Sequence, residues 1–151
     1  MGKKYVIVDI DGTVADISHR KKYVENVAKK DWDKFFAGVK DDKPIENIIK
    51  LVDILSFEYD IAFCTGRGEK LRNLTEQFIN KHFEYVSILN SILIMRSDND
   101  RRKDIEVKPE LLRKAGISKN EVAFILEDRD SVVKMWRDLG FTCLQVCDGN
   151  Y

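Results

Sequence analysis

The sequence predicts an α/β protein: a parallel sheet of about five strands, helices on both faces, and a small helical cap inserted after the first strand. Three observations carry this. Short apolar runs rich in Val, Ile and Phe alternate along the chain with segments whose apolar residues repeat at helical spacing. The first run, Tyr5–Ile10, is apolar without interruption until Asp9, as a central parallel strand covered on both faces must be. Most of the runs end in charged or hydroxyl residues, which suits a sheet whose carboxyl edge binds a ligand.

In chain order, Tyr5–Ile10 is the first strand. The segment Pro44–Ser56 opens on a proline and places Ile45, Ile48, Ile49, Val52 and Leu55 on one helical face. Tyr59–Cys64 is the second strand. Glu69–Lys81 is helical, with Leu71, Leu74, Phe78 and Ile79 at similar spacing. Ser91–Arg96 is the third strand. Pro109–Ala115 is a short helix stopped by Gly116. Val122–Leu126 is the fourth strand, Asp130–Leu139 a helix stopped by Gly140, and Phe141–Val146 a fifth strand closed by the turn signal Asp148-Gly149-Asn150. The alternation is Rossmann-like.

One stretch interrupts it. About 33 residues, from Val14 to Glu46, separate the first strand from the Pro44 helix. An insertion there, at residues 14–46, would lie over the carboxyl edge of the sheet. The same residues could form an ordinary longer connection packed by Trp32, Phe35 and Phe36.

The 151 residues suit one domain, 1–151, with a substantial core. With 26 basic and 26 acidic residues, a uniformly basic surface for gripping long nucleic acid is excluded, though a short local contact is not. No apolar run approaches the roughly 20 residues of a membrane span, so no membrane partner is expected. Met1-Gly2-Lys3-Lys4 leads into a strand without a cleavage pattern, which favours a cytoplasmic site. Cys64, Cys143 and Cys147 are odd in number and lack a second ligand pair, so reduced, mostly buried thiols are expected rather than structural zinc.

The strand ends carry the chemistry. The first ends in Asp9-Ile10-Asp11-Gly12-Thr13. The second is followed by Thr65-Gly66-Arg67-Gly68, the third by Arg96 and then Asp100-Arg101-Arg102-Lys103-Asp104 up to Lys108, and the fourth by Glu127-Asp128-Arg129-Asp130. This set suits phosphoryl transfer. Asp9 can attack phosphorus and form an aspartyl-phosphate. A carboxylate approaching a phosphate dianion needs a cation, and Mg²⁺ held by Asp9, Asp128 and the backbone carbonyl of Asp11 would supply it. The Asp11 side chain then stays free as acid and base. Thr65 and its neighbouring amides, expected at a helix N-terminus, offer donors to phosphate oxygens. Lys108, with Lys103 as its rival, steadies the nucleophile and the phosphoryl group, and Asp104, four residues earlier, would orient it. Arg20, Gly66, Arg67, Arg102 and Lys103 are the candidates for contact with the rest of the substrate. His19, His82 and Trp136 have bland readings as surface, helix-end and packing residues.

These residues resemble the haloacid dehalogenase superfamily. Asp9-x-Asp11-Gly12-Thr13 is similar to its first motif, Thr65 to the second, Lys108 to the third, and Glu127-Asp128 to the acidic fourth. Within it, Cys64-Thr65-Gly66-Arg67, Arg102-Lys103-Asp104-x3-Lys108, Glu127-Asp128-Arg129, Val132–Arg137 and the tail Cys143–Val146-x3-Asn150-Tyr151 resemble the 3′-phosphatase domain of phage polynucleotide kinase–phosphatase. The resemblance implies a Mg²⁺-dependent enzyme that removes the 3′-phosphate from nucleic-acid ends. It implies Asp9 as nucleophile, Asp11 as general acid, Arg20 as an arginine needed for activity, Thr65 and Arg67 after the second strand, Asp104 with Lys108, and the pair Glu127-Asp128.

Three departures matter. The acidic pair begins with Glu127 where two aspartates are usual, and its longer side chain is expected to move outward, which favours Asp128 as the metal ligand. Threonine replaces serine at Thr65. The Asp31-Trp32-Asp33 segment is longer than in that relative. The sequence has no glycine-rich nucleoside-triphosphate loop ending in Gly-Lys-Ser/Thr, so these residues are not expected to carry a kinase activity by themselves, and a kinase or ligase is a candidate partner. Two other functions fit less of the pattern: a nucleotidase or small-molecule phosphatase of the same fold, and a non-catalytic nucleic-acid end-binding adaptor.

Overall fold

In the computed structural model, which describes residues 2–151, the chain alternates strand and helix as its apolar pattern requires. β1 (Tyr5–Val8) is followed by β2 (Ala15–Asp16), α1 (Trp32–Ala37), β3 (Lys43–Pro44) and α2 (Glu46–Leu55). Then come β4 (Asp60–Gly68), α3 (Arg72–His82), β5 (Ser91–Arg96), α4 (Asp104–Lys114), β6 (Val122–Glu127), α5 (Asp130–Asp138) and β7 (Cys143–Gln145). Five of the strands form one parallel sheet in the order β5-β4-β1-β6-β7.

The sheet is covered on both faces, which is why its strands read as continuous apolar runs. Val6, Val8, Ile61 and Phe63 pack on one face against Ile49 and Val52 of α2 and Phe78 and Ile79 of α3. Ile7, Ala62 and Ile125 pack on the other against Leu112 of α4 and Val132, Val133 and Trp136 of α5. Each fully buried side chain of this size contributes about 1.5–3 kcal/mol. The chain builds outward from β1 through β4 to β5, then returns through α4 to β6 on the other side. The strand order therefore reverses between β1 and β6, and a crevice opens at their carboxyl ends.

The segment after β1 is a small cap. β2 and β3 pair antiparallel as a two-residue ribbon, Ala15 opposite Pro44 and Asp16 opposite Lys43. Between them lie α1 and single helical turns at Lys21–Tyr23 and Val39–Asp41. Asp31 caps α1, its carboxylate accepting from the Lys34 amide at 3.1 Å. Ile17, Val24 and Phe35 form a separate small core, with Tyr23, Trp32, Phe36 and Tyr151 packed against it.

Several boundaries differ from the sequence expectation. β4 runs on to Gly68, so Thr65-Gly66-Arg67 is extended chain and not the start of a helix. Its outer half pairs again with β5 at Gly68–Arg96 after an irregularity following Cys64. α4 begins at Asp104, with Pro109 inside it. The Glu106 carboxylate accepts from the Lys103 amide at 3.2 Å and fixes that start, while the proline forfeits one internal bond. Pro44 likewise belongs to β3, and α2 starts at Glu46. Cys64 and Cys143 are buried and Cys147 is exposed. Among the described residues, no helix is long and apolar enough to cross a membrane.

Candidate active site

The turn after β1 sets the site. The Thr13, Val14 and Ala15 amides all donate to the Ile10 carbonyl, at 3.0–3.1 Å, which folds Asp11 back beside Asp9. Gly12 makes the turn possible. It sits at φ +80°, and a Cβ there would lie 2.1 Å from Asp128 Oδ2. The Asp9 amide donates to the Leu126 carbonyl at 3.0 Å, locking the end of β1 to β6. The Thr13 hydroxyl lies between Asp9 Oδ2 at 3.4 Å and Asp128 Oδ1 at 3.3 Å.

Two carboxylates share one ammonium here, with a third acid, Asp128, beside them. Lys108 Nζ lies 2.7 Å from Asp9 Oδ1 and 2.7 Å from Glu127 Oε2, and all three side chains are buried. Being inside α4, Lys108 points inward from its second turn and is not a solvated residue ahead of a helix. Glu127 is only 2% exposed, so its longer side chain is not displaced outward; its other oxygen accepts from the Asp128 and Arg129 amides at 3.2 and 3.4 Å. Burial, then the Glu127 charge, pushes the Asp9 carboxyl well above its usual value. Burial followed by the Asp9 charge pushes Asp128 up to about 7. Lys108 is raised by its carboxylate partners although burial opposes them.

Asp9, Glu127 and Asp128 offer ligand oxygens within 4.8 Å of one another. Excess negative charge held in a buried cluster is the electrostatics of a cation site. All three accept through both oxygens: Asp9 from Lys108 and Thr13, Asp128 from Thr13 and Tyr151, and Glu127, which alone takes backbone amides, from Lys108 and the two amides. The Tyr151 hydroxyl donates to Asp128 Oδ2 at 2.7 Å and lies 3.4 Å from the Asp11 carbonyl, so that carbonyl and Asp128 face one another. The donor set thus fits a divalent cation.

Asp11 stands in a second buried cluster. Its Oδ1 accepts from Arg20 at 2.5 Å and Arg67 at 2.6 Å, and the same two guanidiniums donate to Asp42 Oδ2 at 2.6 and 2.9 Å. Arg67 also donates to the Thr75 hydroxyl at 3.1 Å, and Arg20 lies 4.2 Å over the Phe35 ring. Burial works to raise Asp11, but the Arg67 and Arg20 charges overcome it and hold its carboxyl well below the usual range. Arg20 and Arg67, expected to reach the substrate, are buried and occupied by acids; they clamp Asp11 as the structure stands.

The remaining candidates divide. Thr65 is buried and accepts from the Arg67 amide at 3.1 Å. Gly66 lines the crevice, and a Cβ there would lie 2.7 Å from Asp104 Oδ1. Asp104 does not orient Lys108: it pairs with Arg96, and with Arg129 at 3.4 Å. Arg102 is held by Asp100 at 2.7 Å and Glu110 at 2.8 Å, outside the cavity. Lys103 is exposed at the start of α4 and forms no ion pair among the described residues.

The crevice closes to a cavity of about 30 Å³, room for a water or two. Asp9, Asp11, Gly66, Asp104, Lys108 and Glu127 form its floor, and Trp32, Phe35, Phe36, Arg129 and Tyr151 its roof. The Arg129 guanidinium sits 5.2 Å over Trp32 and 5.4 Å over Tyr151, and its Nε donates to the Tyr151 carbonyl at 2.6 Å. Asp42, Arg129 and Tyr151 were not singled out as site residues by sequence reasoning. Arg129 adjoins the acidic pair and Tyr151 lies in the recognisable tail. Asp42 carries no local signal, since its partners are 22 and 25 residues away.

The chain is similar to several known proteins. The family model of the polynucleotide kinase PNKP phosphatase domain matches residues 3–151. A protein of Autographa californica nuclear polyhedrosis virus, provisionally named a bifunctional polynucleotide kinase/RNA ligase, is 32% identical over 145 residues, 94% of this chain and 19% of its own length. A chain in the Pnkp1/Rnl/Hen1 RNA repair complex superposes with a TM-score of 0.77 at 30% identity, over 99% of this chain and 44% of that one. A haloacid dehalogenase-like hydrolase from Streptococcus pneumoniae superposes with a TM-score of 0.61 at 17% identity, over 95% of this chain and 84% of that one, and shares the fold. The chain thus spans about a fifth of the curated relative and under half of the first structural one.

Proposed function

The chain belongs to the family of polynucleotide kinase PNKP phosphatase domains, and on that premise we propose that it is a Mg²⁺-dependent polynucleotide 3′-phosphatase acting through an aspartyl-phosphate. The observation that carries the reading is the buried set Asp9, Lys108, Glu127 and Asp128 beside a clamped Asp11.

Asp9 and Asp128, with the Asp11 carbonyl, would hold Mg²⁺, which when bound neutralises the negative charge gathered by the carboxylates and the substrate phosphate. Lys108 fixes the Asp9 carboxylate by one oxygen and leaves the other for attack on phosphorus. The bond from phosphorus to the 3′-oxygen breaks as the new bond to Asp9 forms. Asp11 gives that leaving oxygen a proton, then takes one from the water that hydrolyses the aspartyl-phosphate. Asp11 is ionised under its two arginines, so it gains its proton when substrate phosphate brings further negative charge beside it. Glu127 orients Lys108 from behind. Thr65 and Gly66 hold the phosphoryl oxygens against the edge of β4.

The two relatives of about 30% identity carry names from RNA ligation and RNA repair. On that ground we take RNA 3′-ends as the substrate, residues 1–151 as one phosphatase domain, and a kinase or ligase as the partner that uses the repaired end. A purely end-binding role leaves the acid–lysine cluster without a purpose.

The deciding experiment measures initial rates on a 3′-phosphorylated RNA, the matching DNA, and deoxynucleoside monophosphates, with Mg²⁺ and with chelator. The expected result is turnover of the RNA that is lost in chelator and falls by about 10³-fold or more in Asp9→Asn. A strong preference for free nucleotides would refute the end-repair reading. Turnover that persists in chelator would refute the metal.

A further inference from the structure

Beyond the reacting phosphate, the roof of the cavity has a composition of its own. Trp32 is half-buried, with Phe36 stacked on it at 6.1 Å between centroids and Phe35 edge-on at 5.5 Å. Those contacts hold the indole rigid at the mouth. Two cations sit against the same ring: Arg129 at 5.2 Å and Lys30 at 5.7 Å. Lys30 and Lys103 form no ion pair among the described residues, and Arg129 has one weak partner, Asp104, at 3.4 Å. Partial burial, then repulsion from Arg129 and Lys103, holds the Lys30 ammonium below its usual value. Most other basic residues near the site are neutralised by a carboxylate; among the described residues Lys30 and Lys103 have none, and Arg129 has only Asp104.

A rigid aromatic face beside two lysines without carboxylate partners is what a nucleobase and its phosphodiester require. We propose that Trp32 seats the base of the nucleotide carrying the 3′-phosphate, with the phosphodiester on its 5′ side lying along Lys30 and Lys103. This rests on the end-phosphatase reading and names the subsite that distinguishes a nucleic-acid end from a small phosphomonoester. Trp32 and Asp9 line one cavity, so a base on the first and a phosphoryl group at the second belong to one nucleotide. The Arg129 guanidinium lies over the indole at 5.2 Å, so a base stacked on that face takes its place.

The test compares two 3′-phosphorylated oligonucleotides, one with a normal 3′-terminal base and one with an abasic terminal sugar, with the full chain and Mg²⁺. The quantity read is the ratio of kcat/KM for the two, so any general loss of activity cancels. We expect wild type to favour the base by about tenfold or more, Trp32→Ala to bring the ratio near one, and Trp32→Phe, which keeps a ring, to retain most of the preference. Lys30→Ala and Lys103→Ala should each flatten the salt dependence of KM for the oligonucleotide, by a slope of about 0.7 per lost contact. A ratio in Trp32→Ala equal to that of wild type, with salt slopes unchanged in the lysine variants, overturns the subsite alone. Failure of wild type to hydrolyse either oligonucleotide, while it hydrolyses glycerol 2-phosphate, overturns the end-phosphatase reading and the subsite with it.

Discussion

Asp11 and Asp42 accept from the same two guanidiniums, those of Arg20 and Arg67, at 2.5–2.9 Å. Asp42 closes the cap just before β3, so this quartet ties the cap to the edge of the sheet. Four buried charges balance there, and removing one leaves a buried cation unpaired. Asp42→Asn should therefore cost about 3 kcal/mol or more in chemical denaturation. It should also lower kcat more than it raises KM, because Asp11 loses its placement. An unchanged denaturation midpoint would remove the quartet from the account of stability.

Lys108 is the single cation among three buried acids. Lys108→Met should lower kcat by about 10²–10³-fold. In chelator it should also destabilise the fold by about 3–5 kcal/mol, since Asp9 and Glu127 then face each other uncompensated. Glu127→Gln keeps one acceptor for Lys108 and should do less on both counts. Equal losses in the two variants would argue that Glu127 has a direct part in the chemistry.

The metal-free protein should soften as pH rises through neutral. Burial, above all, raises the carboxyls of Asp9, Glu127 and Asp128, the last to about 7. The stability tied to such raised groups is present in full below their unfolded values and drains away as pH passes their folded ones. Asp11 has the opposite sign: held low by Arg67 and Arg20 against burial, it contributes above its unfolded value and is lost only as pH falls through its folded one. Urea midpoints in chelator should therefore be higher near pH 5.5 than near pH 8. A midpoint that climbs with pH across that window contradicts the charge assignment.

Mg²⁺ should reverse that loss. A ligand at one hundred times its Kd adds about 2.7 kcal/mol to stability, so the thermal midpoint at pH 8 should rise on adding the ion. In Asp128→Asn the rise should vanish, while the metal-free protein is no less stable than wild type at that pH, because one buried negative charge is gone. A full Mg²⁺ response in Asp128→Asn would place the ion elsewhere.

The Tyr151 hydroxyl spans Asp128 and the Asp11 carbonyl, where a cation would compete for the same oxygens. Tyr151→Phe should bind Mg²⁺ more tightly, by about tenfold, since a hydrogen bond to a charged group is worth about 1.5–3 kcal/mol. Weaker binding would instead make Tyr151 a support that orients Asp128.

Local pattern was enough for the sheet and its acids. Continuous apolar runs at Tyr5–Val8 and Val122–Leu126 mark strands buried on both faces, and carboxylates placed directly after them must lie at the carboxyl edge. Prolines misled: Pro109 and Pro44 look like helix starts, yet one lies inside α4 and the other in β3. A proline costs one internal bond, and a helix anchored by burial of Val107, Lys108 and Leu112 tolerates that.

The sequence by itself determined which chemistry-bearing residues reach the edge of the sheet, because strand period and burial act over neighbours a few residues apart. Only the tertiary structure decided which of them meet. It put Glu127 and not Asp104 on Lys108, turned Arg20 and Arg67 inward onto Asp11, and recruited Asp42 and Tyr151. Buried charges must be paired wherever the fold leaves a partner, and those partners lie 9 to 56 residues apart, beyond what local pattern encodes.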